Sequence, residues 1–472
     1  MNMSREDIVS ILMQMNAYKK RNDWQGCLQA VDAVKTIPEA MTQSYAVLGN
    51  LAFIYSQAAQ DLEMHNQYIQ LAEKAALMAI EIPANSHRIQ TIKVLAYIYY
   101  HEFHNYTALK RKLPDHQPVW DKAYCENKAV YYYELLMQEG VEDVKSSYRY
   151  AHLLEEAANI YREGSTMADS KTAFKKALRL YQQSMGEYTK MDEGDQKKSC
   201  RSYYIKAAYN AANCCISLMG AEQKLLYGYW FLNGYEGRRS ADTAESLRWN
   251  LYRKNRVKQA AGYLNLARCE EGLPLTIAED DLQRVSLQEA RAEQAWDIYY
   301  RMGKIWDLIY QYQLMSTPEE AFARAEKYYQ YACDIHLLRR IQGKPACAFS
   351  YPYESLMLLY ILAQDKDKYE KAGKKYGRYF RCSSIQQEIY GIQWNIIDRK
   401  YDRARERLKR MKKEFRLKHK EQQKWQQLWD IIAAIQGEDV QVFAGQRTAA
   451  QVNILLGIQR YVKSRVAEQA GA

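Results

Sequence analysis

The sequence predicts an all-α chain, an irregular α-solenoid of antiparallel helical hairpins. Three observations carry that expectation. Proline is scarce, with 8 in 472 residues, and glycine modest at 21, so long helices can run uninterrupted. Alternating Val/Ile/Thr segments are hard to find, and apolar residues recur instead at three- and four-residue spacing. The chain is also too long for one compact core, which leaves several domains or an extended stack of helices. With 48% apolar and 26% charged residues the composition is that of a folded protein.

Punctuation places the elements in order. Ser4, followed by Asp7, has the form of a helix N-cap and opens a first helix from about Arg5 to Lys20. The prolines Pro38, Pro83, Pro114, Pro118, Pro274, Pro318, Pro345 and Pro352 fall where helices should begin or end. Tyr227 to Gly237, dense in glycine and aromatics, suggests a bend between two lobes, close packing or a binding loop, with the bend preferred. In Ser316-Thr317-Pro318-Glu319-Glu320 a hydroxyl cap, a first-turn proline and two carboxylates all favour the positive end of a helix dipole, so a helix should run to about Arg340. Gln342 to Tyr353 reads as an extended connection, followed by shorter helices. The resulting regions are a helical array over 1–235, its continuation over 236–342, and a carboxy-terminal helical region over 343–472.

Within these helices Tyr299, Met302, Gly303 and Trp306 place a large residue, an apolar one three later, a small one at four and an aromatic at seven. Ala325, Tyr329 and Ala332 follow on the next helix, a small residue with an aromatic four later. This pattern, best developed over 296–335, resembles the tetratricopeptide (TPR-like) repeat superfamily. Weaker first-helix copies lie at Tyr45, Leu48, Gly49, Ala52, at Ile92, Leu95, Ala96, Tyr99, and at Leu154, Ala157, Ala158, Tyr161. Second-helix copies lie at Ala72, Ala76, Ala79 and at Ala173, Ala177, Leu180, with a further one at Trp24, Cys27, Val31 and Val34. The interval between paired small residues wanders: 23 residues from Gly49 to Ala72, 15 from Ala158 to Ala173, 22 from Gly303 to Ala325. A strict 34-residue repeat would hold it constant, so the helices are unequal. The resemblance implies a right-handed superhelix, a groove lined mainly by first-helix residues, and a non-catalytic scaffold or regulator that holds a protein or peptide. Fold-level analogy is all that supports that role here. A peptide-sensing regulator with an amino-terminal helix-turn-helix is the weaker variant, because residues 1–60 already read as repeat helices.

Tyrosine is the compositional outlier, 41 against 9 phenylalanines. Its ring can close a thin helical interface while its hydroxyl stays wet or finds a partner; the sharper alternative is a ligand-stacking groove. Catalytic patterns are weak. His101-Glu102-Phe103-His104 is one residue short of the zinc-protease helix motif. Pairing Cys125 with His116 or His152 lacks a local signature, and no glycine-rich phosphate loop is present. No catalytic residue, cofactor or metal is therefore expected, and the chain is read as not an enzyme.

Nine cysteines, odd in number and without a Cys-x-x-Cys pair, read as reduced core residues. The amino terminus lacks a secretory pattern, and the longest apolar runs, such as Leu356 to Ala363, fall far short of a membrane span, so a cytoplasmic protein without a membrane partner is expected.

The most localised signal is charge. Residues 398–424 hold thirteen Lys/Arg against five Asp/Glu, net +8 out of +11 for the whole chain. Tyr401, Ala404, Leu408, Met411 and Phe415 should dock one helical stripe, leaving Arg403, Arg407, Lys409, Arg410, Lys412, Lys413 and Arg416 as candidate contacts for an anionic partner, nucleic acid or ribonucleoprotein included. The competing reading is a solvated face softened by pairs such as Glu406 with Arg410 and Glu414 with Lys418.

Overall fold

The computed structural model describes residues 5–437, apart from most of 22–37 and residues 60, 84, 113–117, 164–166, 221–243, 313, 346–349, 381 and 418. All regular structure among the described residues is α-helical. The chain forms two compact units, one from 1–159 with 172–207, the other from 160–171 with 208–472. The proposed break at 235 and 236, the Tyr227–Gly237 stretch, the Ser4 cap and the helix expected around Trp24, Cys27, Val31 and Val34 lie outside the described residues.

Unit 1 begins with α1 (Arg5–Lys20), then α2 (Pro38–Ala58) and α3 (Leu62–Glu81), α4 (Arg88–Lys112) and α5 (Lys122–Gln138), and it holds most of α6 (Val144–Glu163) and α7 (Met167–Lys190); the end of α6 and the start of α7 belong to unit 2, and α8 (Asp195–Gly220) is divided at 207. Neighbours in sequence pack on each other, so short connections close antiparallel hairpins. In α2/α3, Gly49 lies against Ala72 and Ala76, where an added Cβ would come within 3.3 Å of the Ala72 carbonyl oxygen. In α4/α5, Ile92, Leu95 and Ala96 are buried on the first helix, and Cys125 and Ala129 on the second. That second helix has small residues at its contact face, which the repeat pattern did not single out. In α6/α7 the Ser184 hydroxyl donates to the Val144 carbonyl over 2.8 Å, fixing one helix on the other.

Unit 2 continues with α9 (Ala244–Glu271), the short α10 (Glu279–Leu287), α11 (Glu289–Tyr312) and α12 (Pro318–Ile341). Thr317 caps α12, accepting from the Glu320 amide over 3.3 Å, and Pro318 occupies the first turn, where its missing N–H costs no helical bond. Tyr299, Ala325, Tyr329 and Ala332 are buried between α11 and α12, and the Tyr329 ring lies flat enough on Gly303 that a Cβ there would stand 2.5 Å from Cδ1. The remaining helices are shorter: α13 (Tyr351–Leu362), α14 (Lys366–Tyr376), α15 (Ser384–Ile397), α16 (Tyr401–Glu414) and α17 (His419–Ile435). The connection before α13 ends earlier than expected, because Pro352 sits in the helix's first turn and starts the helix instead of preceding it. No described helix is long and apolar enough to cross a membrane. Most of the Leu356–Ala363 run is instead the buried second half of α13, with Ala363 capping its end.

The tyrosine excess has a packing explanation. Ring after ring is buried between helices while the hydroxyl reaches a carboxylate on an earlier helix: Tyr99 donates to Glu73, Tyr150 to Glu134 (3.0 Å), Tyr181 to Glu155 (2.6 Å), Tyr360 to Glu326 (2.9 Å) and Tyr376 to Asp334 (2.8 Å). A phenylalanine would bury the same ring but forgo a hydrogen bond to a charged acceptor, worth about 1.5–3 kcal/mol. Tyr329 completes the set with 3.1 Å to the buried Asp307, which also accepts from Gln311 over 2.8 Å.

Candidate binding surfaces

A cavity of about 440 Å³ opens in unit 2 between α9, the connection after Pro274, α11 and α12. The packing that makes the best repeat unit also makes its walls. Met302 and Trp306, which the repeat pattern treats as packing positions, face this space together with Leu264 and Leu275. Leu275 is 54% exposed, an uncovered leucine at the rim. Arg324 and Lys327, one turn apart on α12, supply the charge, and no carboxylate lines the wall among the described residues. The Arg324 guanidinium lies 4.4 Å above the Trp306 ring and pairs with Glu320 at 2.7 Å. Lys327 reaches the Thr276 hydroxyl at 3.4 Å and lies 5.8 Å over the Tyr331 ring. Such a wall combines an apolar floor that gains from covering with cations that favour a carboxylate.

On α16, Ala404, Leu408 and Met411 are fully buried, and Tyr401 and Phe415 pack partly against the same core. Several of its cations are already engaged. Glu388 on α15 receives Arg407 and Arg410, each at 3.1 Å, and Glu414 stands 3.9 Å from Arg410. Lys412 sits 4.9 Å over Trp425. Trp425 itself stacks on Trp429 and donates to the Leu408 carbonyl over 2.7 Å, so its ring belongs to the packing. Arg403, Lys409, Lys413 and Arg416 stay exposed and make no ion pair among the described residues.

The His101–His104 segment divides across α4. His101 turns inward: its Nδ1 is 3.0 Å from Glu102, whose two oxygens also meet His65 Nε2 at 3.0 and 3.1 Å, while His65 Nδ1 faces the Ser56 carbonyl at 2.8 Å. Burial opposes charge on His65, yet the hydrogen bond and charge of Glu102 prevail and hold it above its ordinary value. Burial likewise opposes ionisation of Glu102, and the two histidines hold it below its usual range. These groups satisfy one another and face the core. His104 turns the other way, toward His152 and Glu156 of α6, and these three side chains have the separation needed to hold a metal ion. The sequence carried half of that signal, since His152 and Glu156 stand one helical turn apart.

Nucleophilic chemistry at Cys125 lacks a usable thiolate: burial, with the charge of Glu102 adding to it, pushes the thiol up to about 12. His116 lies outside the described residues.

No family model matches the chain, and no curated protein matches it. Among solved structures, one similar to it is titled "Crystal Structure of the Yeast Tom70"; it is 11% identical, with 94% of this chain and 99% of that chain covered and a TM-score of 0.19. A score that low bears on neither fold nor function, and the all-α hairpin assignment rests on the helices themselves.

Proposed function

We propose that this chain is a non-catalytic scaffold or regulator that holds a protein partner by an extended peptide segment, seated in the cavity between α9, α11 and α12. The observation that carries the reading is the wall itself: Leu275 and Trp306 beside Arg324 and Lys327, without an acidic residue among them. The segment that fits has an apolar side chain next to a carboxylate. Leu275 adds apolar area at about 25 cal/mol per Å² buried, and Lys327, which has no carboxylate partner among the described residues, supplies the attraction for the acidic group. The cytoplasmic location expected from the sequence is part of the same proposal.

Selection of displayed random peptides on the full chain, followed by anisotropy with the recovered sequences, tests it. Recovered peptides should pair acidic with apolar residues, and Leu275→Asp should weaken them at least tenfold, since the substitution puts a charge where the apolar side chain docks. Leu275 is exposed, so the variant should keep its fold. Equal binding by wild type and Leu275→Asp would remove this cavity as the site.

A second reading, an anionic partner such as nucleic acid on α16, is supported by exposed Lys409, Lys413 and Arg416. Lys409→Glu with Lys413→Glu should then abolish binding of a single-stranded RNA probe and flatten its salt dependence. Unchanged RNA binding in that double variant removes the reading.

A further inference from the structure

We infer that His104, His152 and Glu156 form a binding site for a divalent transition cation of the zinc class, clipping α4 to α6 within unit 1. Their donor atoms lie within 4.8 Å of one another. Glu156 Oε2 stands 2.8 Å from His104 Nδ1 and 3.7 Å from His152 Nδ1. Two ligands of a tetrahedral zinc ion with bonds of about 2 Å are separated by about 3.3 Å, so these two distances bracket what an ion would impose. One carboxylate oxygen therefore stands between two imidazoles, and a cation placed among the three would take that oxygen and both rings as ligands.

The side chains are held where they are needed. The His104 ring stacks on Tyr100 at 5.9 Å with 3° between planes, and His152 stacks on Tyr148 at 5.9 Å with 22°. The two imidazoles meet edge to face at 5.0 Å. The Tyr100 hydroxyl, 3.1 Å from His152 Nδ1, adds a fourth polar group at the site's edge. Rings already ordered by stacking lose little freedom when an ion binds. His152 and Glu156 come from successive turns of α6 and His104 from α4, so both helices contribute.

The donor set decides the class of ion. Two imidazole nitrogens and one carboxylate oxygen suit Zn²⁺ and its neighbours Co²⁺, Ni²⁺ and Cu²⁺, whereas Mg²⁺ and Ca²⁺ want oxygen throughout. The His104 side chain is 44% exposed, which leaves an entry path and room for a water in a fourth position. The separate His65, His101 and Glu102 network is consumed internally and adds no ligand.

Calorimetric titration of the full chain with Zn²⁺, alongside Co²⁺ absorption spectra, tests the site. One equivalent should bind, the thermal midpoint should rise with Zn²⁺, and Co²⁺ should give ligand-field bands of a nitrogen and oxygen site without thiolate charge transfer. His104→Ala and His152→Ala should each lose at least tenfold in affinity. Thiolate bands would put the metal on a cysteine instead and overturn the assignment, as would one-equivalent binding unchanged in the His104→Ala, His152→Ala double variant, or no binding by the wild type at micromolar Zn²⁺. The wild-type spectrum needs no variant, so a variant that fails to fold leaves the inference open to refutation.

Discussion

The hairpins α2/α3 and α11/α12 put a glycine at the same point of their first helix and cover it differently. Over Gly49 the second helix presents Ala72 and Ala76, and an added Cβ would stand 3.3 Å from the Ala72 carbonyl oxygen and 3.5 Å from the Ala76 Cβ. Over Gly303 it presents the Tyr329 ring, at 2.5 Å from such a Cβ. Unit 1 closes its hairpin by bringing backbones together, unit 2 by laying a ring in the gap. The ring carries a hydroxyl inward to Asp307, so the α11/α12 hairpin also contains a buried carboxylate. Glycine is therefore a convenience at 49 and a requirement at 303.

The largest expected effect is at the ring. Tyr329→Ala should cost about 3–5 kcal/mol by denaturant unfolding, through the cavity left by a fully buried aromatic and the donor lost from Asp307. Hydrogen exchange should place the loss in peptides of α11 and α12; a loss spread evenly over both units would break the contrast. Gly303→Ala should follow, destabilising by about 1–3 kcal/mol because the methyl group forces the ring out of place.

Titration sharpens the difference within unit 2. Burial raises the Asp307 carboxyl to about 6, against the hydrogen bonds from Gln311 and Tyr329. A raised acid contributes stability below its unfolded value, near 4, and loses it as pH climbs through 6. His336, buried against Trp296 without a hydrogen bond among the described residues, is lowered to about 4 by burial and then by Arg339 and Arg340. Its contribution is present above 6.5 and lost as pH falls toward 4, so the two slopes oppose each other. His336→Phe should leave the Asp307 slope exposed, and that variant should gain stability between pH 7 and 5; Asp307→Asn should lose it over the same interval. Melting curves at four pH values decide between these signs. The smallest effect is Gly49→Ala, which should fall within about 1 kcal/mol of wild type, because the gain in helix propensity offsets a slight crowding of the Ala72 carbonyl.

The hairpins were legible because a small residue followed by an aromatic is a local pattern, and Gly303 before Trp306, with Ala325 before Tyr329, met it on two successive helices. The tyrosine bonds were half legible: composition pointed to rings closing helix interfaces with hydroxyls either wet or partnered, but the separations run from 16 residues for Glu134 and Tyr150 to 42 for Asp334 and Tyr376, so no fixed spacing reveals them. The cavity was not legible. Its walls draw on two long helices, a second helix and a connecting segment, and Leu275 reads as an ordinary loop leucine until its neighbours leave it uncovered. The charge of 398–424 was plain in the sequence, whereas Glu388, which neutralises part of it, sits on another helix. Likewise His104 lies 48 residues from His152, a distance over which pattern alone says nothing of contact.

Hydrogen exchange of the full chain with and without a selected peptide tests the central claim most directly, because it locates the bound segment without a mutation. The account predicts new protection in 261–276 and 302–328, the stretches that wall the cavity, and unchanged exchange elsewhere in unit 2. Protection confined to 398–424, or to unit 1, would contradict it.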